Sequence, residues 1–165
     1  VPKIVKHDGP VYIRLMRKGN DGVFDEGESF ELGKAEVIKE GKDVTIFASG
    51  IEVKESLEAE RLLAEKGISA SVVNIHTIKP LDVKTIVEQA KKTGAVVTAE
   101  NHNIINGLGS AVAEVLVENC PMVMERVGTK DHFGEVGKQD FLMEKFGLKA
   151  KNIVEAVKEV LKLKK

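Results

Sequence analysis

From Lys34 onward, short apolar runs of strand length alternate with longer segments that repeat at helical spacing. This alternation constrains the fold more than any single motif. "DVTIFASG" is followed by "EVKESLEAERLLAEKG", "SVVNIHT" by Val83–Thr93, "VVTAENH" by "GLGSAVAEVLVEN", and "MVMERV" by two closing helical segments. Strands separated by helices return to the same edge of a sheet and pair in parallel. The near-continuous apolar character of "SVVNI" fits a strand covered on both faces. Ahead of them, "KAEVIKE" meets "DVTIFASG" across a Gly41-Lys42 turn, which predicts an adjacent antiparallel pair. The expected architecture is α/β: a three-layer α/β/α domain with a mixed five-stranded sheet, four strands parallel and one antiparallel.

Local signals set the helix limits. Val53, Leu57 and Leu63 lie near one helical face, and Gly67 supplies a C′ residue. Pro80 breaks the chain, and Asp82 caps Val83–Thr93 with its stripe of Val83, Ile86, Val87 and Ala90. A short helix is expected over Gln139–Phe146, stopped by Gly147. In the last helix, Asn152 reads as the cap with Glu155 three residues on, and Ile153, Val157, Val160 and Leu161 share a face.

The N-terminal stretch is different. Val11–Leu15 reads as a strand after a Gly9-Pro10 turn, and "RKGNDGVFDEGESFELG" reads as a loop or linker. We expect residues 1–20 to be the tail of an upstream domain, 21–33 a linker, and 34–165 the main domain. The opening "VPKIVKHDGP" reads as the interior of a longer chain. With 25 basic and 26 acidic residues, no strongly basic field exists to hold nucleic acid. No apolar run approaches the ~20 residues that cross a membrane. Cys120 is the sole cysteine, so an intrachain disulfide is excluded and a reducing, cytoplasmic setting is expected.

Candidate chemistry centres on "AENHNIINGLGSAV". Gly107 and Gly109 fit the first two glycines of a dinucleotide fingerprint, but Val112 stands at the third. Ser110 and the free N–H groups of the helix start offer an anion site. The alternative is that the glycines only let the helix sit close to the strand. Glu100 and His102, placed just past a strand end, offer an acid–base pair or an interdomain loop. His7, His76, His102 and His132 lack metal-ligand spacing, so no metal site is expected. Arg14 and Arg17 follow a strand, where guanidinium groups can fork onto phosphate.

Four phrases, "HDGPVYIRLMRKG", "VVNIHTIKPLD", "VVTAENHNIINGLGSAV" and "DHFGEVGKQDFLMEKFGL", jointly resemble the C-terminal part of transketolase, especially the type split into two polypeptides. Val136 stands where the family's usual "FGESG" has serine. The 1-deoxyxylulose-5-phosphate synthases and 2-oxoacid dehydrogenase β subunits share the architecture and are the alternatives. The resemblance implies two-carbon ketol transfer between sugar phosphates, as in the pentose phosphate pathway. It implies thiamine diphosphate and a divalent cation (Mg or Ca), both held outside this segment, with no catalytic residue inside it. Its implied partners are the remaining transketolase domains or an N-terminal subunit, in a homodimer that this segment helps to organise. Arg17 aligns with the family's substrate-phosphate arginine.

Overall fold

The computed structural model describes residues 2–16, 22–24 and 30–164. Its strands are β1 Glu36–Lys39, β2 Val44–Ala48, β3 Ala70–Asn74, β4 Val96–Asn103 and β5 Met124–Thr129. Its helices are α1 Pro2–Val5, α2 Glu52–Ala64, α3 Val83–Thr93, α4 Leu108–Asn119, α5 Gln139–Lys145 and α6 Ala150–Leu163. The strands form a mixed sheet in the order β1-β3-β2-β4-β5. β2, β3, β4 and β5 run parallel and β1 runs antiparallel, as the alternation predicts.

Period-two alternation splits the core into two layers. Val44, Ile46 and Ala48 of β2 face α2 and α6, packing with Val72, Val97, Ile153 and Val157. Phe47 faces α3 and α4, packing with Val73, Val96, Ile86 and Val112. All of these side chains are fully buried. At about 1.5–3 kcal/mol for each large apolar side chain, that double burial is what selects the three-layer form.

Four expectations need correcting. First, β1 pairs with β3 and not with β2. The Gly41-Lys42 turn does not fold back. It crosses the start of β3, where a Cβ on Gly41 would lie 2.2 Å from the Ala70 carbonyl carbon. The Lys42 and Asp43 N–H groups both donate to the Ser69 carbonyl, at 3.1 and 2.9 Å. β3 is thereby seated between the two strands that the turn joins.

Second, Val11–Leu15 belongs to no strand. It is exposed and, among the described residues, its backbone pairs with no strand. Third, β4 extends to Asn103, which puts Glu100 and His102 within the strand's final residues rather than beyond it. Fourth, α6 begins at Ala150, so Asn152 sits inside its first turn. The Asn152 Oδ1 accepts from the Lys149 N–H at 3.3 Å, and Glu55 of α2 accepts from the Ala150 N–H at 2.7 Å. A carboxylate from another helix does the capping that the local sequence assigns to Asn152.

Candidate functional site

The chain leaves β2 through α2 toward β3 on one side, and leaves β4 through α4 toward β5 on the other. β2 and β4 are neighbours, with Ala48 opposite Ala99. Their carboxyl ends therefore form the topological switch point, the crevice where open α/β sheets place ligands. Glu100, Asn101, the loop after β2 and the glycine turn before α4 meet there.

Glu100 is only 2% exposed. Its carboxylate accepts from the Leu108 N–H at 2.7 Å and the Gly109 N–H at 2.8 Å. The positive end of α4 thus takes a charge from its own chain. Residue 107 is glycine because a Cβ there would stand 2.0 Å from Glu100 Oε2. Gly109 lets the helix approach the sheet, since its Cβ would meet Arg126 Cδ at 2.8 Å and Thr98 Oγ1 at 2.9 Å. Ser110 Oγ accepts from the Asn106 N–H at 2.9 Å and donates to the Ile104 carbonyl at 3.3 Å, so its hydroxyl serves the turn itself.

The other residues at this edge are also engaged. Asn101 receives Arg14, whose Nη1 donates to Oδ1 at 3.2 Å and whose Nη2 donates to the backbone carbonyl at 3.0 Å. Asn103 donates to Asp131 at 2.9 Å. His102 is exposed, with Nδ1 3.0 Å from the Asn103 carbonyl, and it is not joined to Glu100, whose oxygens are spent on α4. Arg17 lies outside the described residues.

His76 follows β3 in a hollow of about 190 Å³ lined in part by Phe30, Lys34 and Glu36. Its ring meets Phe30 edge-on at 5.2 Å, and Nδ1 lies 2.8 Å from Thr77 Oγ1. Burial pushes the His76 pKa down against the opposing charge of Glu36. Among the described residues, no group of three or more His, Cys, Asp or Glu is placed to hold a metal ion.

Sequence reasoning missed two features. One is the Arg14–Asn101 contact, which joins residues 87 apart and leaves no local pattern. The other is Glu52, fully buried in the first turn of α2, with neither carboxyl oxygen hydrogen-bonded among the described residues. Burial, and then the charge of Glu55, push its pKa up to about 8, with Lys149 opposing. Its available signal is an acid immediately before Val53, at the start of an apolar face.

A family model for the C-terminal domain of transketolase matches residues 33–153. A 6-deoxy-6-sulfo-D-fructose transketolase subunit of Clostridium sp. strain MSTE9 is 56% identical over 163 residues, covering 99% of this chain and 51% of the relative. A 1-deoxy-D-xylulose-5-phosphate synthase of Geobacter sulfurreducens is 40% identical over 164 residues, covering 97% of this chain and 26% of the synthase. A solved split-gene transketolase, an inactive β4 tetramer, matches with a TM-score of 0.95 at 50% identity, covering 99% of this chain and 54% of that one. The chain spans about half the length of the subunit it matches and about a quarter of the synthase.

Proposed function

The chain belongs to the transketolase C-terminal domain family, and we propose that it is the C-terminal portion of a split transketolase. The assembled enzyme transfers a two-carbon ketol unit between sugar phosphates. Residues 1–20 are the tail of the pyrimidine-binding domain, 21–33 the linker, and 34–165 the C-terminal domain. The chain acts by docking and organising, in the cytoplasm, together with the remaining transketolase domains or an N-terminal subunit, in a homodimer of the assembled enzyme. The start of the matched C-terminal domain at residue 33 supports the last of these boundaries.

The observation that carries the reading is the engaged carboxyl edge of the sheet. Glu100 satisfies the N-terminal N–H groups of α4. A diphosphate brought there would meet a buried carboxylate already holding its donors. Among the described residues this corner does not fit thiamine diphosphate, which supports placing the cofactor and its divalent cation outside this chain.

Within the assembled enzyme, Arg17 binds the terminal anion of the sugar, a role suited to a planar, permanently charged fork. A second substrate reading is favoured by the 56% identity to a subunit named for a sulfonated ketose. A sulfonate and a phosphate present similar oxygen acceptors to such a fork. Parallel assays with 6-phosphorylated and 6-sulfonated fructose as donors separate the two. Arg17→Ala raises KM for the preferred anionic donor about tenfold or more, the worth of a charge-assisted hydrogen bond. An unchanged KM removes Arg17 from the site. Decarboxylation of pyruvate with glyceraldehyde 3-phosphate as acceptor, in place of ketol transfer, instead assigns the chain to the synthase relatives.

A further inference from the structure

The first turn of α2 carries two carboxyl groups that the fold treats in opposite ways. Glu55 is placed for a charge. Its Oε2 accepts from the Ala150 N–H at 2.7 Å, capping α6, and its Oε1 lies 3.7 Å from Lys149 Nζ. Glu52 sits beside Ile51 and Val53 of the α2–α6 core layer, fully buried. Neither of its oxygens is hydrogen-bonded among the described residues. Ser56, one turn on and on the same face, is also fully buried, with its hydroxyl unbonded among those residues. A carboxylate so placed has no donor to replace its hydration, so the neutral form is favoured.

The nearby charges act in opposite senses. Glu55, on the same helix, repels a second negative charge, and Lys149, at the head of α6, attracts one. The Lys149 ammonium is already held by Asp140 of α5 at 3.0 Å, and the charge of Glu144 acts on it as well.

This turn is tied on both sides. The Glu52 N–H donates to the Ser49 carbonyl at 3.2 Å, and the Val53 N–H donates to the Gly50 carbonyl at 3.3 Å. The Ser49 N–H donates in turn to the Ala99 carbonyl of β4 at 3.1 Å. Movement of the turn therefore reaches the β2–α2 loop at the carboxyl edge and, through Glu55, the N-terminus of α6.

We propose that Glu52 is a proton-operated latch at the junction of α2 with α6. With its proton, the first turn of α2 stays seated and Glu55 caps α6. Without it, the charge reaches water only when that turn lifts, and the lift uncaps α6. Burial, reinforced by Glu55 and opposed by Lys149, pushes the carboxyl up to about 8. The seated form is therefore complete below that pH and is lost as pH rises through it.

The test is residue-resolved hydrogen exchange on the complete parent polypeptide, corrected for the intrinsic rise of exchange with pH, below and above about pH 8. The reporters are the Glu52, Val53 and Ala150 amides, with Ile86 and Gly94 of α3 as controls for global opening. Each of these amides has a hydrogen bond in the fold. In the native chain the reporters lose protection together, about tenfold per pH unit above the change, and open more easily than the controls. Glu52→Gln and Glu52→Met, the second filling the site without a polar group, both remove this dependence. Glu55→Gln moves its onset to lower pH by removing a like charge, and Lys149→Gln moves it to higher pH by removing an attracting one. A fall confined to α2 with Ala150 unchanged overturns the latch. So does a fall that persists in both Glu52 variants, or reporters that open only together with α3. Onsets that shift in the same direction in the two charge variants overturn it as well.

Discussion

Glu52 is a buried carboxyl group whose oxygens meet no hydrogen-bond partner among the described residues, and burial raises its pKa to about 8 from an ordinary 4.5. The folded state thus holds a proton that the unfolded state releases. Stability from this group is fully present below the unfolded pKa and is lost as pH rises through about 8, with a slope approaching about 1.4 kcal/mol per pH unit. Urea unfolding across that range gives the check: Glu52→Gln gains on the native chain progressively as pH rises. Parallel curves for the two proteins contradict the assignment.

Glu100 makes the opposite use of burial, because its charge is met by the two N–H groups of α4. Glu100→Ala costs about 2–4 kcal/mol in chemical denaturation, since it removes a charged cap and orphans two buried donors. Gly107→Ala costs about 2 kcal/mol or more by overpacking against the same carboxylate. In a double-mutant cycle the two effects are smaller together than their sum, because deleting Glu100 makes room for the new methyl group. Additivity contradicts the proposed contact.

At the scale of elements, the fold was legible wherever its causes are local. α3 begins and ends where its residues indicate. Asp82 accepts from the Thr85 N–H at 3.2 Å, the apolar stripe turns Ile86 and Ala90 inward, and Gly94 closes the helix at φ 68°. Asp82 also accepts from the Ala35 N–H at 3.0 Å and from Thr85 Oγ1 at 2.9 Å. Burial alone raises its pKa, and these bonds outweigh it, leaving the carboxyl below its usual value. The stability that Asp82 contributes is therefore present above its unfolded pKa and lost as pH falls through the lowered value. Asp82→Ala lowers stability by about 2 kcal/mol at neutral pH, with a shrinking difference in acid, measured by urea unfolding at each pH. A difference that persists unchanged in acid contradicts this account.

Non-local causes were not legible. β1 and β2 are close in sequence, and nothing near Gly41 announces that β3 will lie between them. Asn152 has the chemistry of a cap, yet α6 is capped by Glu55, 95 residues away. Val11–Leu15 has the apolar character of a strand but pairs with no strand among the described residues. At the candidate site, the strand, the glycine turn and the helix were legible, but Glu100 was expected beyond the strand that contains it. The sequence does not reveal that the corner's anion is Glu100 itself, because the capping residue precedes the helix by eight positions rather than one.

For the molecule as a whole, these details share a direction. Both sheet faces are covered by the chain's own helices, and the carboxyl edge is engaged by Glu100, Arg14 and Asp131. Large apolar groups remain outside, with Phe133 95% exposed beyond β5 and Tyr12 exposed ahead of the sheet. Such surface on a domain with a complete core fits docking against further protein. Together with coverage of about half of a related transketolase subunit, it supports the reading of a chain that completes an enzyme rather than one that houses its chemistry. The most direct test is thiamine-diphosphate-dependent ketol transfer, assayed with the 165-residue chain alone and after recombination with the rest of its parent enzyme. The account predicts no turnover from the chain alone and cofactor-dependent turnover on recombination. Turnover by the isolated chain, or none after recombination into a stable complex, would contradict it.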